Sequence, residues 1–347
     1  MIELKNNSLS FNFPEIHPDA RLDIEFQRTL RIPDDGTDYP LPAGLGTFPI
    51  EHVDDHMRKA PRHWLEHGGV MLPMYQAEAM WINFQSSYIG DREINYPFAV
   101  RIAAGKIDAV TGESWADKLH PSPQNYVMIP EQPWLDGFCV EQGVIRQFVA
   151  MPLGEGYSAE EQITGKAEFG GLQIMAYPMK KEAFERNHPL VERGQNTARL
   201  GAKYSMDDVC YSMEAPSAEM GLGAGGRMRQ QIYDDHYNFS DWDLSTHSRC
   251  FVHLTNSMNW QQVTGQQPPT EPPTAETYSQ AGVPWFDHYR EQTVVAGSSV
   301  LRGLKSVVTL DKEKGGQAVP ENDSVVIDKV IQLREPLANG QVREGQF

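Results

Sequence analysis

The sequence predicts an α+β protein that is rich in β-structure. Short strands form sandwich- or barrel-like sheets, with small peripheral helices and long loops. Three observations carry this expectation. Apolar and polar residues alternate along several segments, which is the period of a half-buried strand. Segments with a helical period are short. Glycine (29 residues) and proline (24 residues) punctuate the chain throughout.

Residues 9–13 come first, with Leu9, Phe11 and Phe13 on one side. Residues 21–32 place Leu22, Ile24, Phe26, Leu30 and Ile32 on one face, and only Arg28 breaks the pattern. The turn-forming His17, Pro18 and Asp19 let these two strands pair. Asp34, Asp35 and Gly36 then interrupt the chain. Met74, Ala77, Met80, Trp81 and Phe84 recur at three-to-four spacing and predict a short helix. Strands are expected at residues 98–102, 126–129, 144–151 and 172–177. Ser158 followed by Glu161 is the pattern of a capping box opening a short helix. Residues 180–217 are polar, with helical propensity only at their start. Beyond them, residues 249–255 predict a strand and 256–263 a helix stopped by Gly265. Thr274 caps a further helix that ends at Gly282, and Pro284 opens another carrying Trp285, Phe286 and Tyr289 on one side. A last strand is expected within 324–333. This pattern divides the chain into a strand-rich N-terminal domain (1–178), a connector (179–216) and an α+β C-terminal domain (217–347). One fused globule is the alternative.

Composition narrows the classes of function. The chain has 347 residues, 40% of them hydrophobic, enough for a large core. Acidic residues outnumber basic ones 47 to 30, for a net charge of −17. Such a charge repels nucleic acid and anionic lipid, so neither is an expected partner. No apolar run approaches the roughly 18 residues of a membrane helix, and the N-terminus lacks the pattern of a signal peptide. The three cysteines, Cys139, Cys210 and Cys250, are far apart and form no metal or redox motif. Reduced thiols in a cytoplasmic protein are the expectation.

Four constellations offer chemistry. Gly221, Gly223, Gly225 and Gly226 precede Arg227 and Arg229. As a mobile loop they would turn backbone N–H groups toward an anion, and the guanidinium groups would add two-point recognition. The outward GxGxxG form of this stretch lacks a preceding strand and a following long helix. The second is an acidic-aromatic run through Tyr233, Asp234, Asp235, His236 and Trp242. Asp234, Asp235 and His236 could hold a divalent metal, although their spacing matches no named motif. The third is a histidine group, His52, His56, His63 and His67, in two i,i+4 pairs. The fourth is a set of tryptophans beside Pro, Asp or Asn: Trp115, Trp134, Trp242, Trp260 and Trp285. Their surroundings suit either a ligand groove or loops plugged into a core. No serine sits in G-x-S-x-G, and the cysteines lie among apolar neighbours.

Several stretches taken together, LRIPDDGTDYPLPAGLGTFPI, VIRQFVAMPLGEGY, GGRMRQQIYDDHY and PPTAETYSQAGVPWFDHY, resemble a family of uncharacterised bacterial and fungal proteins. Its members often carry the label "integral membrane protein", which this sequence does not support. The resemblance spans most of the chain and implies no activity and no catalytic residues. The functional expectation is a non-enzymatic cytoplasmic protein that binds a small anionic ligand or a protein partner. Gly223, Gly225, Gly226, Arg227, Arg229, Tyr233 and Trp242 would do the binding. No cofactor is expected. The alternative is a metal-assisted hydrolase built on Asp234, Asp235 and His236, around residues 234–253.

Overall fold

A computed structural model describes residues 1–190, 219–288, 292–316, 318–320, 322, 325–327 and 329–333. Its centre is a 17-stranded sheet of short strands, almost all antiparallel, which does not close into a barrel among the described residues. The alternation read in the sequence sets its first half. Ile2–Lys5 pairs with Ser8–Asn12, which pairs with Arg21–Thr29, and this strand pairs along its whole length with Ala79–Ser86. Leu9, Phe11, Leu22, Ile24 and Phe26 point inward and are fully buried. In the second half, Phe98–Ala104 pairs with Leu172–Pro178, and that strand with Ser248–Asn256. Phe98, Val100, Ile102, Ile174 and Val252 meet the first set in one core. At roughly 1.5–3 kcal/mol per fully buried large apolar side chain, this core is the main stabilising contribution.

Arg28 is the exception in its strand because it answers a buried acid. It occupies an inward position, and its Nε donates to Glu78 Oε1 at 2.7 Å. Burial pushes the Glu78 carboxyl up, against the pull of Arg28. Arg28 also donates to the Thr270 side chain (3.0 Å) and backbone carbonyl, and Tyr75 Oη donates to the Pro269 carbonyl at 2.8 Å. These bonds fasten the proline-rich 267–273 segment to the sheet.

Helix ends follow the capping signals. Ser158 and Glu161 form the expected capping box on Ala159–Thr164. Asn256 caps Ser257–Thr264, which stops at left-handed Gly265. Thr274 caps Ala275–Gln280, and Gly282 follows with φ of +62°.

Three expectations are corrected. Residues 74–84 are not helical; Met74 ends the strand Val70–Met74, residues 75–78 form a turn, and 79–84 belong to the strand Ala79–Ser86. Met80, Ile82 and Phe84 face the core while Trp81 is apolar on the opposite face, so the strand imitates a helical period. Residues after Pro284 form a strand, Trp285–His288, paired parallel with Val330–Leu333 and antiparallel with Leu41–Pro42. Tyr289 lies outside the described residues, and of the expected strand at 324–333 the described residues form strand at Val330–Leu333.

The third correction is the glycine loop. Glu219–Arg229 is a strand in the middle of the large sheet, paired with Val144–Pro152. The expected N- and C-terminal segments therefore share one sheet. Its glycines admit neighbours rather than flexibility. A Cβ at Gly223 would stand 2.6 Å from Val307 Cγ1 and 2.7 Å from the Tyr157 carbonyl oxygen, and one at Gly226 would strike the Pro33 carbonyl. The connector begins with the helix Lys181–Asn187; residues 191–218, with Cys210, lie outside the described residues.

Candidate functional site

The strand pairing assembles a pocket on the outer face of the large sheet. In Ala79–Ser86, alternation sends Trp81 away from the core. Trp134–Leu135 pairs with this strand in the register Trp134↔Asn83, which puts Trp134 on the same face, diagonal to Trp81. The two indoles meet edge to face with centroids 6.4 Å apart. Asp136 follows Trp134 by two residues and also lines the pocket. The three-stranded sheet of Leu41–Pro42, Trp285–His288 and Val330–Leu333 lies over this face. It is anchored by a second core in which Trp285 packs with Tyr39, Tyr278, Ile145 and Met228. The space left between the sheets is about 240 Å³, lined by Trp81, Trp134 and Asp136 from below and by Leu41, Phe286 and Leu333 from the covering sheet.

The 41–44 segment completes the wall. Tyr278 Oη accepts from the Ala43 N–H at 2.8 Å and donates to the Pro284 carbonyl at 3.0 Å, tying this segment to the covering sheet. Gly44 has no side chain because a Cβ there would stand 2.9 Å from the Trp81 ring.

Asp136 is the polar group of the pocket. It is 2% exposed. Gln230 Nε2 donates to its Oδ2 at 2.7 Å, and the Asp136 N–H donates to Gln230 Oε1 at 3.0 Å. Among the described residues, Gln230 is the one side chain bonded to this carboxylate, and Oδ1 is left without a donor. Burial without a cation pushes the carboxyl up to about 7, and the Gln230 bond opposes this only in part. The buried indole N–H of Trp81 also lacks an acceptor among the described residues. The pocket thus offers aromatic surface and one carboxyl group.

The residues nominated from sequence lie partly beside this pocket. Gly223, Gly225 and Gly226 are buried strand residues and form no nest. Arg227 is shared between Asp38 (Nε to Oδ1, 2.6 Å) and Glu141 (3.2 and 3.3 Å). These carboxylates raise the Arg227 guanidinium further, and Arg227 holds Glu141 below the usual carboxylate range. Arg229 grips Asp287 of the covering sheet through three contacts of 2.9–3.1 Å. Tyr233 is buried, its hydroxyl 3.2 Å from His288 Nδ1, and the His288 ring packs on Trp134 at 5.1 Å. The structure therefore brings Arg229, Tyr233 and the 285–288 strand together at the edge of the pocket.

The acidic run sits apart from the aromatic pocket. Asp235 accepts from Tyr126 Oη (2.5 Å), Trp242 Nε1 (2.7 Å) and the Tyr237 N–H (2.8 Å), so it locks buried Trp242 in place. His236 is half exposed and 3.9 Å from Glu131. Asp234 donates its N–H to Thr293. Among the described residues, no three His, Cys, Asp or Glu side chains gather as metal ligands. The histidine group is dispersed: His56 is 3.8 Å from Glu51, His63 is 3.0 Å from Glu219, and His67 stacks on Phe251 at 4.8 Å. Nearby His253 is buried against Trp64 and held down to about 4 by desolvation. Cys139 and Cys250 are buried free thiols, each pushed up to about 12 by burial.

Comparison of the chain with family models, curated proteins and solved structures found no match. No helix among the described residues is long and apolar enough to cross a membrane. Sequence reasoning counted Trp134 among its groove candidates but missed Trp81, Asp136 and Phe286. The signal available was Trp134-Leu135-Asp136, where a two-residue spacing in a strand puts indole and carboxylate on one face.

Proposed function

We propose that the protein is a non-enzymatic binding protein and that its ligand enters the pocket between the large sheet and its covering sheet. One observation carries this reading: Trp81, Trp134 and Phe286 line a cavity together with a buried carboxyl group whose Oδ1 has no donor among the described residues. Ligand sites are concave, largely apolar and furnished with few polar groups, and this pocket has that make-up. Among the described lining residues Asp136 is the one titratable group, and His288 and Tyr233 at the edge are bonded to each other, which favours binding over catalysis. The metal-assisted hydrolase has less support, because Asp235 already holds Tyr126, Trp242 and Tyr237 and no three candidate metal ligands gather among the described residues. The arginines have less to offer an anion, since both already hold carboxylates.

Indole, a neutral flat probe, tests the reading by NMR. It should shift the indole N–H signals of Trp81 and Trp134 in a saturable way, and Ala43→Leu, which fills the pocket, should abolish the response. Absence of any saturable shift, or an unchanged response in Ala43→Leu, would remove the pocket as the binding site.

A further inference from the structure

We infer that the ligand of this pocket is a small organic ammonium ion, held between the aromatic rings and the free oxygen of Asp136. The inference rests on the binding role just assigned to the pocket and adds the charge of its occupant.

Three features of the pocket converge on a cation. Asp136 is buried, and its only side-chain partner among the described residues is a neutral amide. Buried carboxylates are ordinarily paired with a positive group. Arg28–Glu78 and Arg101–Asp108 follow that rule, the second pair at 2.8 Å with both residues almost wholly buried, while the buried Glu160 and Asp311 each take two backbone N–H donors instead, which the Asp136 carboxyl does not have among the described residues. Asp136 departs from it, and its unused oxygen belongs to a residue that lines a cavity. The missing charge is supplied most directly by what enters that cavity.

Aromatic walls are the second feature. Trp81, Trp134 and Phe286 line the same space, and aromatic rings carry negative faces that attract ammonium groups within about 6 Å of the centroid. Tryptophan is the strongest of these. An inorganic cation would need several oxygen ligands, and the lining supplies one carboxylate among apolar residues. An organic ammonium ion satisfies both parts of the lining: alkyl surface against the rings, charge toward Oδ1.

The third feature is electrostatic. Charged and titratable groups on the neighbouring elements are His288, packed on Trp134, Arg229 of the large sheet paired with Asp287 of the covering sheet, and Glu25, bonded to the Asn83 that stands opposite Trp134. Gln230 itself is neutral. With a chain charge of −17, the protein attracts cations at long range. The raised carboxyl of Asp136 fits the same picture, because a group that resists ionisation alone will ionise when a cation arrives.

The test compares phenyltrimethylammonium with tert-butylbenzene, its neutral isostere, by calorimetric or NMR titration of the intact chain at pH 8. Phenyltrimethylammonium should bind at least tenfold more tightly. Asp136→Asn should erase that preference. Equal or tighter binding of tert-butylbenzene would overturn the cation while leaving the pocket intact. A cation preference that survives Asp136→Asn would overturn the role of Asp136. If neither isostere binds while indole does, the ammonium inference fails alone; if all three fail, the pocket reading fails with it.

Discussion

Replacing Asp136 by asparagine should stabilise this protein, and by an amount that depends on pH. In the unfolded chain this carboxyl titrates near 3.8, and in the folded pocket burial pushes it up to about 7. The difference is about three pH units, each worth about 1.4 kcal/mol. Ionising Asp136 in the native state therefore costs about 4 kcal/mol, to order of magnitude. Below pH 3.8 the group is protonated in both states and costs nothing. Between pH 3.8 and 7 the unfolded state has lost the proton and the native state keeps it. The native state then binds more protons, so stability falls as pH rises; above 7 the cost is complete. Asparagine keeps the shape and the bond from Gln230 and removes the charge. Urea unfolding of both proteins should show Asp136→Asn stabilised by about 2–4 kcal/mol at pH 8 and by about half as much near pH 5.5. A neutral or destabilising substitution at pH 8 would refute the account of Asp136 as an uncompensated buried acid. So would a gain that does not change with pH. A residue that lowers stability and lines a cavity is the pattern expected of a binding site, where function is kept at the expense of the fold.

Three further outcomes follow from the packing. Trp285 is 1% exposed between Tyr39 and Tyr278, so Trp285→Ala should cost about 3–5 kcal/mol in urea unfolding; an unmoved midpoint would place it outside the second core. Gly226→Ala should destabilise by about 1–3 kcal/mol or more, because the new Cβ meets the Pro33 carbonyl; a change below about 0.5 kcal/mol would mean that strand has room to spare. The denatured, unreduced protein should titrate three thiols, while Cys139 and Cys250 stay inert to Ellman's reagent in the native state; one thiol on denaturation would reveal a disulfide.

The parts of the fold legible in the sequence are those fixed by local pattern. Alternation over residues 21–32 and 9–13 located the strands Arg21–Thr29 and Ser8–Asn12, because each strand has one face in the core. Ser158, Asn256 and Thr274 marked helix starts, because a cap is a contact within one turn. The misreadings occur where distant residues decide. The glycines of Glu219–Arg229 read as a loop, yet they are buried strand residues because Val307, Tyr157 and Pro33 press on them from far along the chain. Trp81 made residues 74–84 look helical because its outward face is apolar, and only the covering sheet explains why. Phe286 reaches the pocket through a sheet whose parallel pairing with Val330–Leu333 has no local signal. The pocket was therefore hidden, although Trp134 and Asp136 stood two residues apart in plain view.

The most direct test of the central claim is a crystal structure of the protein with phenyltrimethylammonium. The account predicts density for the cation between Trp81, Trp134 and Phe286, with its ammonium group facing Asp136. An empty pocket with the cation bound elsewhere, or a cation turned away from Asp136, would contradict it.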